Sequence, residues 1–189
     1  YNWYAVAGIH DNDPNTPNKE LAPEGWHVPS FADWITIEEY LITNGYNYDG
    51  TTTGNKTAKS MASTTGWNSS TATGTPGNDQ STNNSSGFNA LPEGYRNRYG
   101  LFRYEGDDAF FWSSSWDTFF GWYRNLDYNQ ISLIRAAYDK SFGFSVRFVR
   151  DATSLSTTDF SNSIIIYPNP VKNMLTIDGL VVKDVVIYS

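Results

Sequence analysis

The chain has 189 residues, a formal net charge of −7, no cysteine, 39% hydrophobic residues and 16% aromatic ones. An acidic chain lacks the concentrated Lys and Arg that a phosphate backbone requires, which excludes a general nucleic-acid binder; the lack of cysteine excludes disulfides, thiol catalysis and thiolate metal sites. No apolar run approaches the ~20 residues of a membrane span, and a core built from rings needs fewer residues than one built from Val or Leu.

Tyr1 is not a methionine and no signal peptide precedes it, so the expectation is a segment of a larger precursor. "YNWYAV" predicts a strand over 1–7. Three prolines and many turn formers make 8–25 a long loop. Ser30 then caps a helix with Asp33 as its capping-box partner, Trp34, Ile37 and Leu41 lie on one face, and Gly45 is the stop. Residues 46–87 are mostly Thr, Ser, Asn and Gly, with a short helix in 57–63 and Trp67 as the anchor.

Short strands are predicted near 88–90, 95–104, 109–114, 120–126, 131–136 and 143–150. The last alternates best, with Phe144, Val146 and Phe148 on one face. Arg96, Arg98 and Arg103 alternate with aromatics and read as the wet face of a strand pair. The order of elements predicts an α+β domain over 1–151. Residues 152–163 are polar and without periodicity, a linker. Residues 164–189 begin a new alternating pattern with a turn at Pro168–Pro170, too short to bury a core alone.

"PEGWHVPSFADW" (23–34), "SSGFNALPEGYR" (85–96), "FWSSS" (111–115), "WYRNL" (122–126) and "KSFGFSVRFVRD" (140–151) occur in this order. Together they resemble the Fibrobacter succinogenes major paralogous domain family. The resemblance implies a variant of the C-type-lectin-like fold. Some members carry a cysteine before "PEGW" and another in the last motif; Ala22 and Phe148 stand there, so apolar packing is expected to close the domain. "YPNPVKNMLTI" (167–177) resembles the start of a type IX secretion C-terminal sorting domain, a β-sandwich that runs beyond Ser189. That resemblance implies an export signal at Tyr167, Pro168, Asn169 and Pro170, the type IX secretion machinery as partner, and passage across the outer membrane to the cell surface or the exterior.

Catalytic patterns are weak. "GFSVR" lacks the second glycine of a nucleophile elbow. His27, beside Trp26 at a helix entrance, reads as a structural hydrogen-bonding residue rather than a general base. Glu38 and Glu39 point different ways on a helix, and Asp107 and Asp108 fall at a turn, so the chain is read as non-catalytic. Asp11, Asp13 and Asn15 have the 1, 3, 5 oxygen-ligand spacing of calcium loops, but Thr16 and Ala22 replace the glycine and glutamate of an EF-hand; an Asx-turn loop is the alternative. Calcium is the one cofactor entertained. The N-x-S/T triplets at Asn55, Asn68 and Asn83–Asn84 read as solvated loop.

Nine aromatic residues crowd into 109–130. The resemblance makes Trp112 and Trp122 framework residues of the core. "WDTFFG" (116–121) has no strand period and reads as a loop that displays its rings, and 127–130 as a hairpin tip. Rigid rings with amides beside them are the composition of a binding surface. The expected ligand-binding set is Trp116, Asp117, Phe119, Phe120, Tyr123, Asn125, Asp127, Tyr128 and Asn129, recognising a surface glycan or protein in an adhesin-like manner. The alternative is a structural component of a surface assembly or fibre that uses the same loop between subunits.

Overall fold

The first element is a helix where the sequence predicts a strand. In this computed structural model, helix α1 (Trp3–Val6) is capped by Asn2, whose side chain accepts from the Ala5 amide at 3.0 Å. Trp3 and Val6, three residues apart, both face inward, which a strand could not achieve. The structure describes residues 1–9, 11, 13 and 15–151, and the strands at 165–167 and 176–178. It divides into two compact units, Tyr1–Asp151 and Ala152–Ser189.

In the first unit, β1 (Trp26–His27) leads into α2 (Phe31–Thr43). The capping box is complete. Ser30 Oγ accepts from the Asp33 amide at 3.2 Å, and Asp33 Oδ2 accepts from the Ser30 amide at 2.8 Å. Trp34 and Leu41 are buried and Ile37 packs beside them. Helix α3 (Ala58–Met61) follows, its Ala58 and Met61 fully buried.

The Asn- and Thr-rich stretch around α3 is ordered from within. The Asn47 amide group donates to the Thr51, Thr53 and Gly54 carbonyls, and its oxygen accepts from the Lys56 amide. Gln80 closes a two-bond clasp on the Trp67 backbone, and the buried Asn83 donates to the Ser63 and Pro76 carbonyls. The solvated-loop expectation therefore fails at Asn83. A buried loop must satisfy its backbone carbonyls, and side-chain amides do so where no strand is near.

The β-structure consists of β2 (Tyr95–Arg96) paired with β3 (Phe102–Arg103), and a three-stranded antiparallel sheet of β4 (Asp108–Trp116), β5 (Phe120–Asp127) and β6 (Ile134–Asp139). Residues 88–90 contribute only a bridge, Ala62 to Ala90. The expected strand at 143–150 shrinks to β7 (Val149–Arg150), because Gly143 is shared between Asn2 and Arg96 while Ser145 pairs with Phe111, so no single ladder forms. The sheet is apolar on both sides. Ala109, Phe111 and Leu126 join Trp34, Leu41, Met61 and Trp67 in one cluster; Trp112 joins Trp3, Val6, Phe142 and Phe144 in the other. Trp112 stacks on Phe144 at 4.1 Å. Trp122, expected in the core, is only partly covered and meets Phe31 edge-on at 5.3 Å.

The domain closes differently from the expectation. Phe148 is exposed, and the ends meet instead through β1 and β7, with Trp26 opposite Arg150 and His27 opposite Val149. His27 Nδ1 lies 2.6 Å from Asp151 Oδ1 and Nε2 lies 3.2 Å from Asp33 Oδ2. Both partners are carboxylate oxygens, so the imidazolium form, which donates from both nitrogens, satisfies the two contacts together. The Asp151 hydrogen bond, against a smaller effect of burial, holds the His27 pKa above its ordinary value.

In the second unit, β8 (Ile165–Tyr167) pairs antiparallel with β9 (Thr176–Asp178). Tyr167 falls at the end of β8; Pro168, Asn169 and Pro170 lie outside the described residues. Among the described residues no helix is long and apolar enough to cross a membrane.

Because the His27 pKa is raised in the folded state, the clamp contributes fully below the ordinary value of about 6.5 and is lost as pH rises through the folded value. The thermal-midpoint gap between wild type and His27→Gln should therefore be largest below pH ~6.5 and shrink as pH rises through the folded value; the partners' exposure limits it to about 1 kcal/mol or less. A gap that widens with pH would contradict this assignment.

Candidate functional site

The turn between β4 and β5 is built by a break in register. Trp112 pairs with Tyr123, yet Trp116 pairs with Gly121, so the three serines between them bulge against Trp122 alone. The bulge is anchored: Ser115 Oγ accepts from the Phe31 amide at 2.9 Å, the Ser114 amide donates to Pro29, and the Ser113 carbonyl accepts from Trp3 Nε1 at 3.0 Å.

Beyond the bulge, Asp117 organises the tip. Its Oδ1 accepts from the Phe119 amide at 2.9 Å and the Phe120 amide at 2.7 Å, and its own amide donates to the Phe120 carbonyl at 3.0 Å. The Phe120 and Phe119 amides hold the Asp117 carboxyl below its ordinary pKa, so it is a carboxylate at neutral pH.

Three rings stand out from this tip: Trp116 is 60% exposed, Phe119 75% and Phe120 45%. Trp116 leans on Trp3 at 5.2 Å between ring centroids. Lys140 Nζ sits 4.6 Å from the Trp3 centroid and 6.0 Å from that of Trp116, and donates to the Asp117 carbonyl at 3.2 Å. Gly121 is required here. A Cβ on it would come within 2.4 Å of Trp3 Cδ1 and 3.0 Å of Trp112 Cζ3. The arrangement presents exposed apolar faces with one carboxylate and one ammonium beside them.

The model of the Fibrobacter succinogenes major domain family matches residues 1–150. The chain belongs to that family. No curated protein and no solved structure matches the chain. The family match covers the whole first unit except Asp151, so the tip, both core clusters and the clamp's His27 and Asp33 lie within the family domain.

Within this domain the nine expected ligand residues separate. Trp116, Asp117, Phe119 and Phe120 come together at the tip. Tyr123 turns inward, T-shaped on Trp112 and 5.1 Å from Phe144, and burial holds its hydroxyl pKa above the ordinary value. Asn125 is buried and donates to Asp108 Oδ1 and the Leu126 carbonyl. Asp127, Tyr128 and Asn129 form the turn at the far end of β5, about 23 Å away along seven residue steps. There the Asp127 carboxylate accepts from the Asn129 amide, Tyr128 packs on the core, and Asn129 accepts from Ser70 Oγ. Trp3, Lys140 and Gly121 belong to the tip but were not anticipated. Trp3 and Lys140 reach it only through tertiary contact, and Gly121 matters because Trp3 rests on it.

The other candidates also have places. Asp11 Oδ1 accepts from the Asp13 amide, and Asp13 Oδ1 accepts from both the amide and Nδ2 of Asn15, each at 2.9 Å. The spacing that suggested calcium thus forms two successive Asx turns. Among the described residues no three His, Asp or Glu side chains gather as a cation site. Glu38 accepts from Asn55, and Asp108 is pushed up to about 6 by burial, with Asn125 opposing and Asp127 and Asp107 adding.

Gly121→Ala should loosen the tip by forcing Trp3 off the strand, lowering stability by about 1–3 kcal/mol in urea unfolding. Unchanged stability would mean that Trp3 does not rest on Gly121 in solution.

Proposed function

We propose that the family domain is a non-catalytic recognition module, carried on a C-type-lectin-like scaffold at the cell surface or in the exterior, that binds a glycan or protein through the β4–β5 tip. The observation that supports this most is the exposure of Trp116, Phe119 and Phe120 on a turn whose backbone Asp117 holds in place. Rings in fixed positions lose little entropy on binding, and three neighbouring exposed rings are uncommon on a surface without a partner. Residues 164–189, by their likeness to a sorting domain, would hand the protein to the type IX secretion machinery, with Tyr167, Pro168, Asn169 and Pro170 as the signal.

Phe119 and Phe120 carry no hydrogen-bonding group in their side chains, so the same patch would also suit packing against a second subunit; this favours the assembly reading as the alternative. The full chain and its Trp116→Ser/Phe119→Ser/Phe120→Ser variant should be compared on immobilised glycan and surface-protein arrays, with circular dichroism confirming that both fold. Binding is expected to fall about tenfold or more in the variant. Binding that is unchanged would remove the tip from recognition. No ligand, together with self-association that the variant abolishes in sedimentation, would establish the assembly reading instead.

A further inference from the structure

A second place on the family domain carries the features of a binding site and shares no residue with the tip. The β2–β3 hairpin is held by Asn97, whose Oδ1 accepts from the Tyr99 amide at 2.9 Å and the Leu101 amide at 3.0 Å. The hairpin raises Phe102, 69% exposed, between two open clefts of about 630 Å³ and about 440 Å³. Glu93 lines both clefts; Tyr95, Arg96 and Phe144 line the larger, and Leu91 and Glu105 the smaller.

The floor is rigid. Tyr95 packs against Phe110, Phe142 and Phe144 at 5.4–6.1 Å. Tyr104, exposed beside Tyr95, sits at φ +62, a left-handed conformation that costs a side-chain-bearing residue about 1–3 kcal/mol and is concentrated at functional positions. Gly94 allows the crossing beneath: a Cβ on it would lie 2.0 Å from the Arg103 carbonyl oxygen.

The polar groups define the ligand. Glu93 and Arg96 both line the larger cleft, and neither side chain makes a hydrogen bond or ion pair with the described residues, so the cleft offers a carboxylate acceptor and, beside Gly100 of the hairpin, a fork of donors. A polyanion would meet Glu93 and Glu105, and a polycation would meet Arg96. A neutral sugar suits all of them, since each hydroxyl both donates and accepts while the C–H face of a pyranose lies on an aromatic ring. We propose that this cleft binds a neutral oligosaccharide, with Phe102 as the stacking platform and Glu93 and Arg96 bonding the hydroxyls of adjoining sugar units. The inference rests on the domain being a recognition module and gives that module a glycan site apart from its tip.

Titration calorimetry of the full chain with neutral hexasaccharides of glucose, xylose and mannose, beside a hexamer of galacturonate, tests it. At least one neutral probe should bind, Phe102→Ala should weaken it about tenfold or more, and Glu93→Gln should weaken it too. The Trp116→Ser/Phe119→Ser/Phe120→Ser variant should bind that sugar within about twofold of wild type. Phe102 and Glu93 are exposed, so both variants should keep the wild-type thermal midpoint. Sugar binding that survives Phe102→Ala but fails in the tip variant would overturn the cleft while sustaining the tip. Preference for galacturonate would overturn the neutral class. Binding of none of the probes would overturn the glycan cleft, and a protein captured through the tip would leave the recognition reading standing.

Discussion

Strand β4 is apolar on both of its faces, and most of the domain serves to keep those faces dry. Phe111 points to one cluster and Trp112, its neighbour, to the other. Each buried ring contributes about 1.5–3 kcal/mol relative to exposure, so neither side can be left to solvent. Helix α2 and the α3 loops cover one face. The other is covered by α1 and the 142–146 segment, which supplies Phe142 and Phe144. Those covers are short and irregular, and their backbone groups cannot all pair in ladders. Asn47, Asn83 and Gln80 supply the missing partners, which is why a sequence so rich in amides and hydroxyls still folds tightly.

One residue within this core runs against the apolar rule. Arg124 is fully buried on β5, next to Phe111 across the ladder, and none of its guanidinium nitrogens finds a hydrogen-bond partner among the described residues. Burial pulls its pKa down to about 10, with Glu38 opposing and Arg135 adding, so the group remains charged at neutral pH. Its attraction is the face of Phe31, 5.2 Å away, and Arg135 shares that ring at 5.3 Å. A desolvated cation–π contact is worth about 2 kcal/mol, which partly offsets the desolvation. It also ties the first turn of α2 to the sheet beside the anchor between Ser115 and Phe31.

The turns that carry the rings outside the core are pinned through their backbone. Trp116 extends from β4 over Trp3, which itself bonds Ser113, and Lys140 caps the pair. Phe102 rises from a hairpin pinned by Asn97 over the Tyr95 packing. In both places a short polar side chain fixes the turn and the core fixes its base. The exposed ring is left with its face to solvent, an arrangement that reduces the ordering cost of binding.

Residues that act on near neighbours were legible in the sequence. The Ser30–Asp33 box, the Trp34, Ile37, Leu41 face, the short helix near 57–63 and the strands near 109–114 and 120–126 follow from spacing, the third strand runs over Ile134–Asp139 where 131–136 was expected, and the five ordered motifs carried the family. The absence of cysteine removed disulfides outright. What lay beyond reach was whatever depends on a partner far along the chain. "YNWYAV" is helical because Asn2 caps it and because Trp3 and Val6 share a buried face against the sheet. Alternation put Tyr123 and Asn125 on the same face of β5, yet only the packing of Phe144 and Asp108 against them shows that this face is buried. His27 closes the domain because Asp151 reaches it across 124 residues. Local pattern determines which elements form, since caps and periodicity act within a turn or a strand. Which rings are covered and which stay exposed is decided only when distant segments compete for the same surface.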